Sequence, residues 1–308
     1  MSALKRHDAK WGYIFISLWI VGFLIFYLVP MLASFGFSLL DFQLAKPQDI
    51  EYIGLENWRR MLFEDELVWQ SMRVTFVFAL ITLPIGMIVA LGLAILLNSK
   101  DLIGRDLFRT LFYMPSMIPA IASLFIWSGV LNPQTGWLNR IIEFLSFGTI
   151  EAVGLNGLRW LDDPNLIYIA YTYLGIWGVG NAIIINLAGL QSVPTDLYEA
   201  ARVDGANWLR RLWSITIPMI SPVIFYNLVL GLVGLLQYFL LPYVLNGGNG
   251  YPEGTTRFYM IHFFNNAFSY ADMGYGAALA WLMFVVGLLI TLGLFASAPF
   301  WVYYEGES

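Results

Sequence analysis

The chain has 308 residues, of which 59% are apolar and 12% charged, and it contains no cysteine. An ordinary soluble domain carries about twice that charge density, so the composition excludes a soluble protein of normal surface. The net charge of −5 and the lack of a basic stripe argue against nucleic acid as a partner. The absence of cysteine excludes disulfides and thiolate metal sites.

Six stretches of 26 to 41 residues contain no Asp, Glu, Lys or Arg. Each is long enough to cross a bilayer, because about 30 Å of hydrocarbon takes roughly 20 apolar residues in a helix. The pattern therefore predicts an all-α membrane protein with six transmembrane helices. In chain order, the predicted spans are 13–40, 75–98, 110–131, 166–190, 219–244 and 276–300. Residues 1–308 are predicted to form a single transmembrane domain.

Lys and Arg in the loops predict the orientation of the chain. With the amino terminus inside, the cytosolic segments would hold nine of them in 59 residues, and the outer segments seven in 100. Because positive residues are retained on the cytosolic side, we predict that both termini are cytosolic.

The chain shows no sequence signature of an enzyme. No Gly-Lys pair precedes Ser or Thr, so there is no phosphate-binding loop of the Walker type. The two histidines, His7 and His262, are too few and too distant to suggest a metal site. The six charge-free runs lack the ionisable groups that proton relays and sites for charged substrates usually contain. If the chain carries a solute, that solute is expected to be neutral and polar.

Two polar stripes in the fourth and fifth runs are candidate solute contacts. The first, at a spacing of four on one predicted helix face, consists of Tyr173, Trp177 and Asn181. The second contains Asn227 and Tyr238 with Gly231 and Gly234 between them, and has Gln237 on an adjoining face. Amides and aromatic rings are the groups that a sugar ring needs. Small residues and amides also pack transmembrane helices together, and the residues alone leave both interpretations open.

The loop 191–218 between these two runs has the pattern of a helix, a turn and a second helix. Asp196 and Glu199 fit a helix start, where carboxylates favour the positive end of the helix dipole. Gly205 supplies a turn residue, Asn207 can cap a second helix, and Pro218 leads into the fifth span.

This loop resembles the EAA loop of membrane subunits from bacterial and archaeal ABC importers. The resemblance rests on Glu199-Ala200-Ala201, three residues, Gly205, nine residues, and then Ile215-Thr216-Ile217-Pro218, with Ile217 in place of the usual Leu. Six further segments resemble the carbohydrate importers, specifically the maltose-type first permease subunit: 54–58 (GLENW), 163–165 (DPN), 187–191 (LAGLQ), 204–206 (DGA), 221–222 (SP) and 273–276 (MGYG). The chain departs from that pattern at Asn246 to Asn249.

The resemblance implies the type I ABC importer permease fold, with a cytosolic EAA coupling helix. It assigns coupling to the ATPase to Glu199, Ala200, Ala201, Asp204 and Gly205. It implies a multi-pass subunit of a bacterial or archaeal inner membrane that pairs with a second permease as a heterodimer in the lipid bilayer. Two ATPase subunits would bind ATP and Mg, with no cofactor on this chain, and an extracytoplasmic solute-binding protein would deliver a neutral sugar or oligosaccharide.

Two other classes of protein stay open at this point. An ion-coupled secondary transporter usually shows internal repeats and intramembrane charges, and neither is found in this sequence. A non-transporting membrane scaffold subunit would share the apolar runs but has no need of the EAA pattern.

Overall fold

The computed structural model describes residues 3–99, 101–146 and 157–303. Its backbone contacts divide into two units, Met1–Val68 with Phe263–Val285, and Trp69–His262 with Val286–Ser308. A single domain over residues 1–308 therefore stays a prediction.

The described residues are mainly helical. The α-helices are α1 Ala3–Phe23, α2 Val29–Phe37, α3 Glu56–Arg59, α4 Glu66–Asn98, α5 Arg105–Tyr113, α6 Ala120–Val130, α7 Trp137–Leu145, α8 Ile167–Trp177, α9 Gly180–Ser192, α10 Thr195–Val203, α11 Trp208–Arg211, α12 Ile217–Met219, α13 Ser221–Leu236, α14 Leu240–Asn246, α15 Tyr259–Phe264 and α16 Met273–Ser297. Short π-helical turns cover Leu24–Leu28, Arg60–Glu64, Leu212–Thr216 and Asn265–Ser269, and 3₁₀ turns cover Met114–Met117 and Ala298–Phe300. Two short strands, β1 Leu40–Asp41 and β2 Glu51–Tyr52, pair antiparallel.

Four continuous helical segments are long and apolar enough to cross a membrane: Gly12–Phe37, Glu66–Asn98, Ser221–Asn246 and Met273–Phe300. Two bent pairs pass the same test together, so the number of spans is six if each pair is one span. This agrees with the six predicted spans, and each predicted range overlaps one of these segments.

The third and fourth spans are broken, where the sequence pattern predicted continuous helices. The third bends by 102° between Met117 and Ala120, and the fourth by 54° between Trp177 and Gly180. Pro119 lies directly before α6, and proline cannot donate the hydrogen bond that would continue the helix. At the second break Gly178 is the C-cap of α8.

The second span begins at Glu66, nine residues before the predicted start. At 1.5 Å per residue its 33 residues reach about 50 Å, which exceeds the hydrocarbon thickness of about 30 Å. The charges on Glu66 and Arg73 therefore mark a helical extension beyond the hydrocarbon, which a search for charge-free runs leaves out.

In the first unit, the motifs at 54–58 and 273–276 lie in one polar assembly, which we call the polar cap (residues 38–65 and 265–276). The Asn57 side-chain amide donates to the carbonyl oxygens of Ser38 and Leu40, at 3.1 and 3.0 Å. The Gly274 amide donates to the Phe42 carbonyl at 3.0 Å. A Cβ at Gly274 would lie 2.2 Å from the Leu40 carbonyl oxygen, so this approach requires glycine.

Charged residues also join the two motifs of the polar cap. The Arg60 guanidinium donates to Asp272 at 2.8 Å and lies 4.0 Å from the centre of the Tyr275 ring. The Tyr275 hydroxyl donates to Asp65 at 2.6 Å. These contacts connect residues more than 200 positions apart in the chain.

In the second unit, helices pack through apolar clusters. One joins α4 and α9 to the loop before the fifth span through Ala94, Leu187, Leu190, Val193 and Ile220. Another joins α4, α8 and α15 through Phe78, Tyr171 and Ile261. These clusters position the two broken spans and the 191–218 loop.

Candidate functional site

A cavity of about 250 Å³ lies in the second unit, where the breaks of the third and fourth spans meet. Its walls come from α6, α8 and the residues beside both breaks, together with the start of α14. The lining residues are Pro115, Ser116, Ile118, Ala120, Ser123, Leu124, Trp127, Leu174, Trp177, Gly178, Asn181, Leu240 and Leu241. None of them carries a charge.

Each break places the ends of two helices beside this cavity. The first N–H groups of a helix and its last carbonyls have no partner within the helix, so a broken span offers donors and acceptors inside the membrane. Irregular backbone at membrane depth is tolerated where it is buried in protein or lines a cavity.

Gly180 allows the two broken spans to come close together. A Cβ at this position would lie 2.9 Å from the Phe112 carbonyl oxygen and 3.1 Å from the Ser116 hydroxyl oxygen. The first of these is backbone and cannot rotate away, so any larger residue would push the two breaks apart.

One wall of the cavity is aromatic. The Trp127 ring meets the rings of Tyr173 and Trp177 edge to face, with centroids 5.1 and 5.5 Å apart. Trp127 is 8% exposed, and its indole N–H has no hydrogen-bond partner in the described part of the chain. The sequence patterns missed Trp127, although Ser123 and Trp127 lie four residues apart in the third charge-free run and both line the cavity.

The structure divides the first predicted stripe between two helices. Trp177 and Asn181 both line the cavity, but α8 ends at Trp177 and Asn181 belongs to α9. The prediction of a single continuous helix face is therefore wrong, because the span bends between these residues. Tyr173, the third member, contacts Trp127.

The second predicted stripe lies outside this cavity. The Asn227 amide donates to the Asn186 side chain at 3.2 Å and so joins α13 to α9. The Tyr238 ring packs against Phe78 and Phe258, with centroids 4.8 and 5.0 Å apart. Gln237 is exposed and caps the end of α13. A solute-binding role for these three residues stays a prediction.

The 191–218 loop folds as the predicted helix, turn and helix. The first helix, α10, ends at Val203 and is followed by its C-cap Asp204 and then by Gly205, whose φ is +74°. The Gly205 amide donates to the Arg202 carbonyl, and the Ala206 amide to the Ala201 carbonyl, at 3.0 and 2.8 Å. This is the hydrogen-bond pattern of a Schellman cap, which favours glycine at the left-handed position.

The start of α10 differs in detail from the sequence prediction. Its N-cap is Pro194, without a side-chain hydrogen bond, and Asp196 lies in the first turn. Glu199 lies in the middle of the helix, where it is exposed together with Ala200. Ala201 is half-buried, and Asp204 and Gly205 are exposed. One side of α10 is thus open to a partner.

Two hydrogen bonds fix the remainder of the loop. The Tyr198 and Thr216 hydroxyls lie 3.0 Å apart and connect α10 to the turn before α12. The Asn207 side chain accepts from the Arg210 amide at 2.9 Å and caps α11, as predicted. Because the first of these bonds joins α10 to the segment that leads into the fifth span, a force on α10 can reach that span.

The residues that the structure describes include no group of three or more His, Asp or Glu side chains able to hold a metal ion.

Comparisons with known proteins test the resemblance of this sequence to ABC importer permeases. The family model for the binding-protein-dependent transport system inner membrane component matches residues 82–304. The chain is 37% identical to the probable ABC transporter permease protein YesP of Bacillus subtilis, covering 98% of this chain and 94% of that protein. It is 33% identical to the trehalose/maltose transport system permease protein MalF of Thermococcus litoralis, covering 94% of each.

A solved structure shares the fold. The chain superposes on a subunit of a bacterial alginate ABC transporter, crystallised with an alginate pentasaccharide-bound periplasmic protein, with a TM-score of 0.77 and 24% identity over 96% of both chains. The resemblance to carbohydrate importer permeases and the type I permease fold are therefore confirmed. So is the prediction of a transport subunit rather than an enzyme. The chain belongs to the family of binding-protein-dependent transport system inner membrane components.

Proposed function

We propose that this chain is one of two permease subunits of an ATP-driven importer and forms half of the membrane path of a neutral sugar or oligosaccharide. The observation that carries the proposal is the coupling loop. An exposed helix bearing Glu199-Ala200-Ala201 is closed by Gly205 and hydrogen-bonded to the base of the fifth span. The chain has no phosphate-binding loop of its own, so the energy must enter through a partner at this surface.

The proposed partners supply the functions that this chain lacks. A second, related permease supplies the other half of the path, and two ATPase subunits bind ATP and Mg. An extracytoplasmic solute-binding protein delivers the sugar on the opposite side, in keeping with the binding-protein dependence of the family.

The mechanism requires two arrangements of the spans, biased by the nucleotide state of the partner. ATP binding closes the ATPase pair and moves α10 as a rigid element. The hydrogen bond between Tyr198 and Thr216 passes this movement to the fifth span. Hydrolysis then restores the first arrangement.

The uncharged cavity at the two breaks supports a neutral sugar as the solute. The indole ring of Trp177 offers a flat apolar surface for sugar C–H groups, and Asn181 offers both a donor and an acceptor for hydroxyls. At about 250 Å³, the cavity is smaller than the roughly 300 to 1,000 Å³ of sites for drug-sized ligands. It suits one ring of the solute at a time.

Reconstitution of the complete complex tests the function. The four membrane and ATPase subunits are placed in liposomes with the solute-binding protein, and uptake of labelled sugars is measured with and without ATP. We expect uptake to need ATP and this chain. ATP-independent uptake driven by an ion gradient would instead identify a secondary transporter.

The Glu199→Lys variant tests the coupling surface in the same assay. We expect it to assemble but to lose uptake while the ATPase subunits still hydrolyse ATP. The matched control is Glu143→Lys, an equally drastic change at an exposed glutamate of α7. Full uptake by Glu199→Lys would contradict the assignment of α10 as the coupling helix.

A further inference from the structure

We propose that residues 208–213, the second arm of the coupling loop, bind anionic phospholipid headgroups at the cytosolic membrane surface. We call these residues the aromatic-basic arm. The inference rests on the proposed function, because it takes the coupling loop to be cytosolic.

The aromatic-basic arm exposes large apolar side chains. Trp208 is 59% exposed, Leu209 54% and Trp213 63%. Leu209 and Trp213 are four residues apart and share one side of the helical turn. Tryptophan rings with an apolar body and one N–H group are enriched at the boundary between headgroups and hydrocarbon.

The charge of the arm is entirely positive. Arg210 and Arg211 lie between the two tryptophans, and the chain has no Asp or Glu from Gly205 to Pro252. Among the described residues, neither arginine forms an ion pair. The first arm is different, because α10 and its cap carry Asp196, Glu199 and Asp204. The two arms of one loop thus offer opposite charges to their surroundings.

The position of the arm along the chain favours lipid over protein as its partner. Trp213 precedes the start of the fifth span at Ser221 by eight residues, which is about 12 Å of helix. The headgroup layer on each side adds about 5 to 8 Å to the hydrocarbon core. The charge-free run begins at Leu212, directly after the two arginines. A path of about 12 Å along the membrane normal is longer than the headgroup layer, so the tryptophans and arginines lie among the headgroups when residues 213–220 run partly along the membrane surface.

Bound in this way, the arm would fix the base of the coupling loop. The contact between Tyr198 and Thr216 connects α10 to the π-helical turn Leu212–Thr216, in which the arm ends. A loop held at the membrane surface moves with the spans, whereas a loose loop would absorb the ATPase movement.

Spin labelling measures the depth of the arm directly. The chain contains no cysteine, so Ser214→Cys and Val203→Cys each give a single label site in a complex whose other subunits lack reactive cysteines. Ser214 is exposed beside Trp213, and Val203 is 89% exposed at the end of α10. The complex is compared in bilayers of phosphatidylcholine alone and of phosphatidylcholine mixed with phosphatidylglycerol, using oxygen and a water-soluble nickel complex as relaxants.

We expect the Ser214 label to gain oxygen contact and lose nickel contact when phosphatidylglycerol is present, while the contacts of the Val203 label, on the arm proposed to meet the ATPase, are the same in both lipids. The Arg210→Gln/Arg211→Gln variant should cancel the difference, because two basic residues together change binding to an anionic surface by about 30-fold. A second variant, Trp213→Ala, keeps both charges and should place the label nearer to water.

Two results would overturn the proposal. One is equal nickel contact at Ser214 in both lipids. The other is protection of Ser214 that ignores lipid but disappears when the ATPase subunits are omitted, which would identify a protein interface. Sugar uptake is measured on the same samples, so failure of the lipid contact with intact ATP-driven uptake is separated from failure of the proposed function.

Discussion

At the residue scale, two glycines have different physical reasons for lacking a side chain. At Gly180 the reason is space, because a Cβ would meet a backbone carbonyl of the neighbouring broken span. At Gly205 space is open, with nothing within 4 Å of a Cβ, and the reason is the left-handed φ of +74°. The sequence alone predicted Gly205 from its place in a turn, but it had no signal for the close packing at Gly180.

Gly180→Ala should destabilise the assembled complex by about 1 to 3 kcal/mol, the usual range for overpacking, and should impair uptake. Thermal unfolding of the purified complex measures the first effect and liposome uptake the second. The matched control is Gly175→Ala in the same span, where nothing lies within 4 Å of a Cβ. Equal melting temperatures for the two variants would contradict the close approach at Gly180.

Gly205→Val should leave the complex assembled but separate ATP hydrolysis from uptake. The left-handed conformation costs most L-residues about 1 to 2 kcal/mol, and a β-branched side chain would favour a different exit from α10. The control is Gly205→Asn, since asparagine tolerates this region. The ratio of sugar taken up to ATP hydrolysed is the measurement, and a normal ratio in the valine variant would show that the cap is dispensable.

At the scale of elements, hydropathy predicted six spans but missed both breaks. The reason is visible in two prolines: Pro84 lies inside the continuous helix α4, whereas Pro119 precedes the start of α6 after a 102° bend. A helix continues through a proline where neighbouring groups hydrogen-bond the backbone carbonyl that the proline leaves free, and otherwise it ends there. A single sequence does not show which groups are neighbours. The candidate cavity, built at the breaks, was for this reason predicted only through Trp177 and Asn181.

Trp177→Ala and Asn181→Ala should each reduce sugar uptake while the complex still assembles. The first change removes the flat apolar surface of the Trp177 ring. The second removes the hydrogen-bond donor and acceptor of the Asn181 amide beside the break. Trp137→Ala is the control, because Trp137 is 70% exposed on α7 and outside the cavity. Unchanged uptake in both cavity variants would assign these residues to helix packing.

At the scale of the whole molecule, the distribution of Lys and Arg predicts both termini in the cytosol. Single cysteines in this cysteine-free chain test that orientation with a membrane-impermeant maleimide. Tyr251→Cys lies in an exposed loop predicted outside, and Asp101→Cys lies in an exposed turn predicted inside and away from the coupling loop. We expect labelling of the first in intact cells and of the second only after permeabilisation, and the opposite result would invert the topology.

Two motifs that are far apart in the sequence are in contact in the structure. The motifs at 54–58 and 273–276 each resemble the family pattern, but neither resemblance predicts that the two motifs are in contact. Nothing in their spacing indicates that Asn57 lies near Gly274, or Arg60 near Asp272. Contacts over such separations depend on the order in which the spans pack, which composition and periodicity do not encode.

The polar cap has a consequence for how the chain is made. Its two halves leave the ribosome about 200 residues apart, so Asp65 is synthesised long before Tyr275 exists to donate to it. At roughly 5 to 20 residues per second, the first half waits on the order of 10 to 40 seconds. A chain that stops before Tyr275 can never close the cap, and the closed cap therefore marks a chain whose synthesis has reached the start of its sixth span.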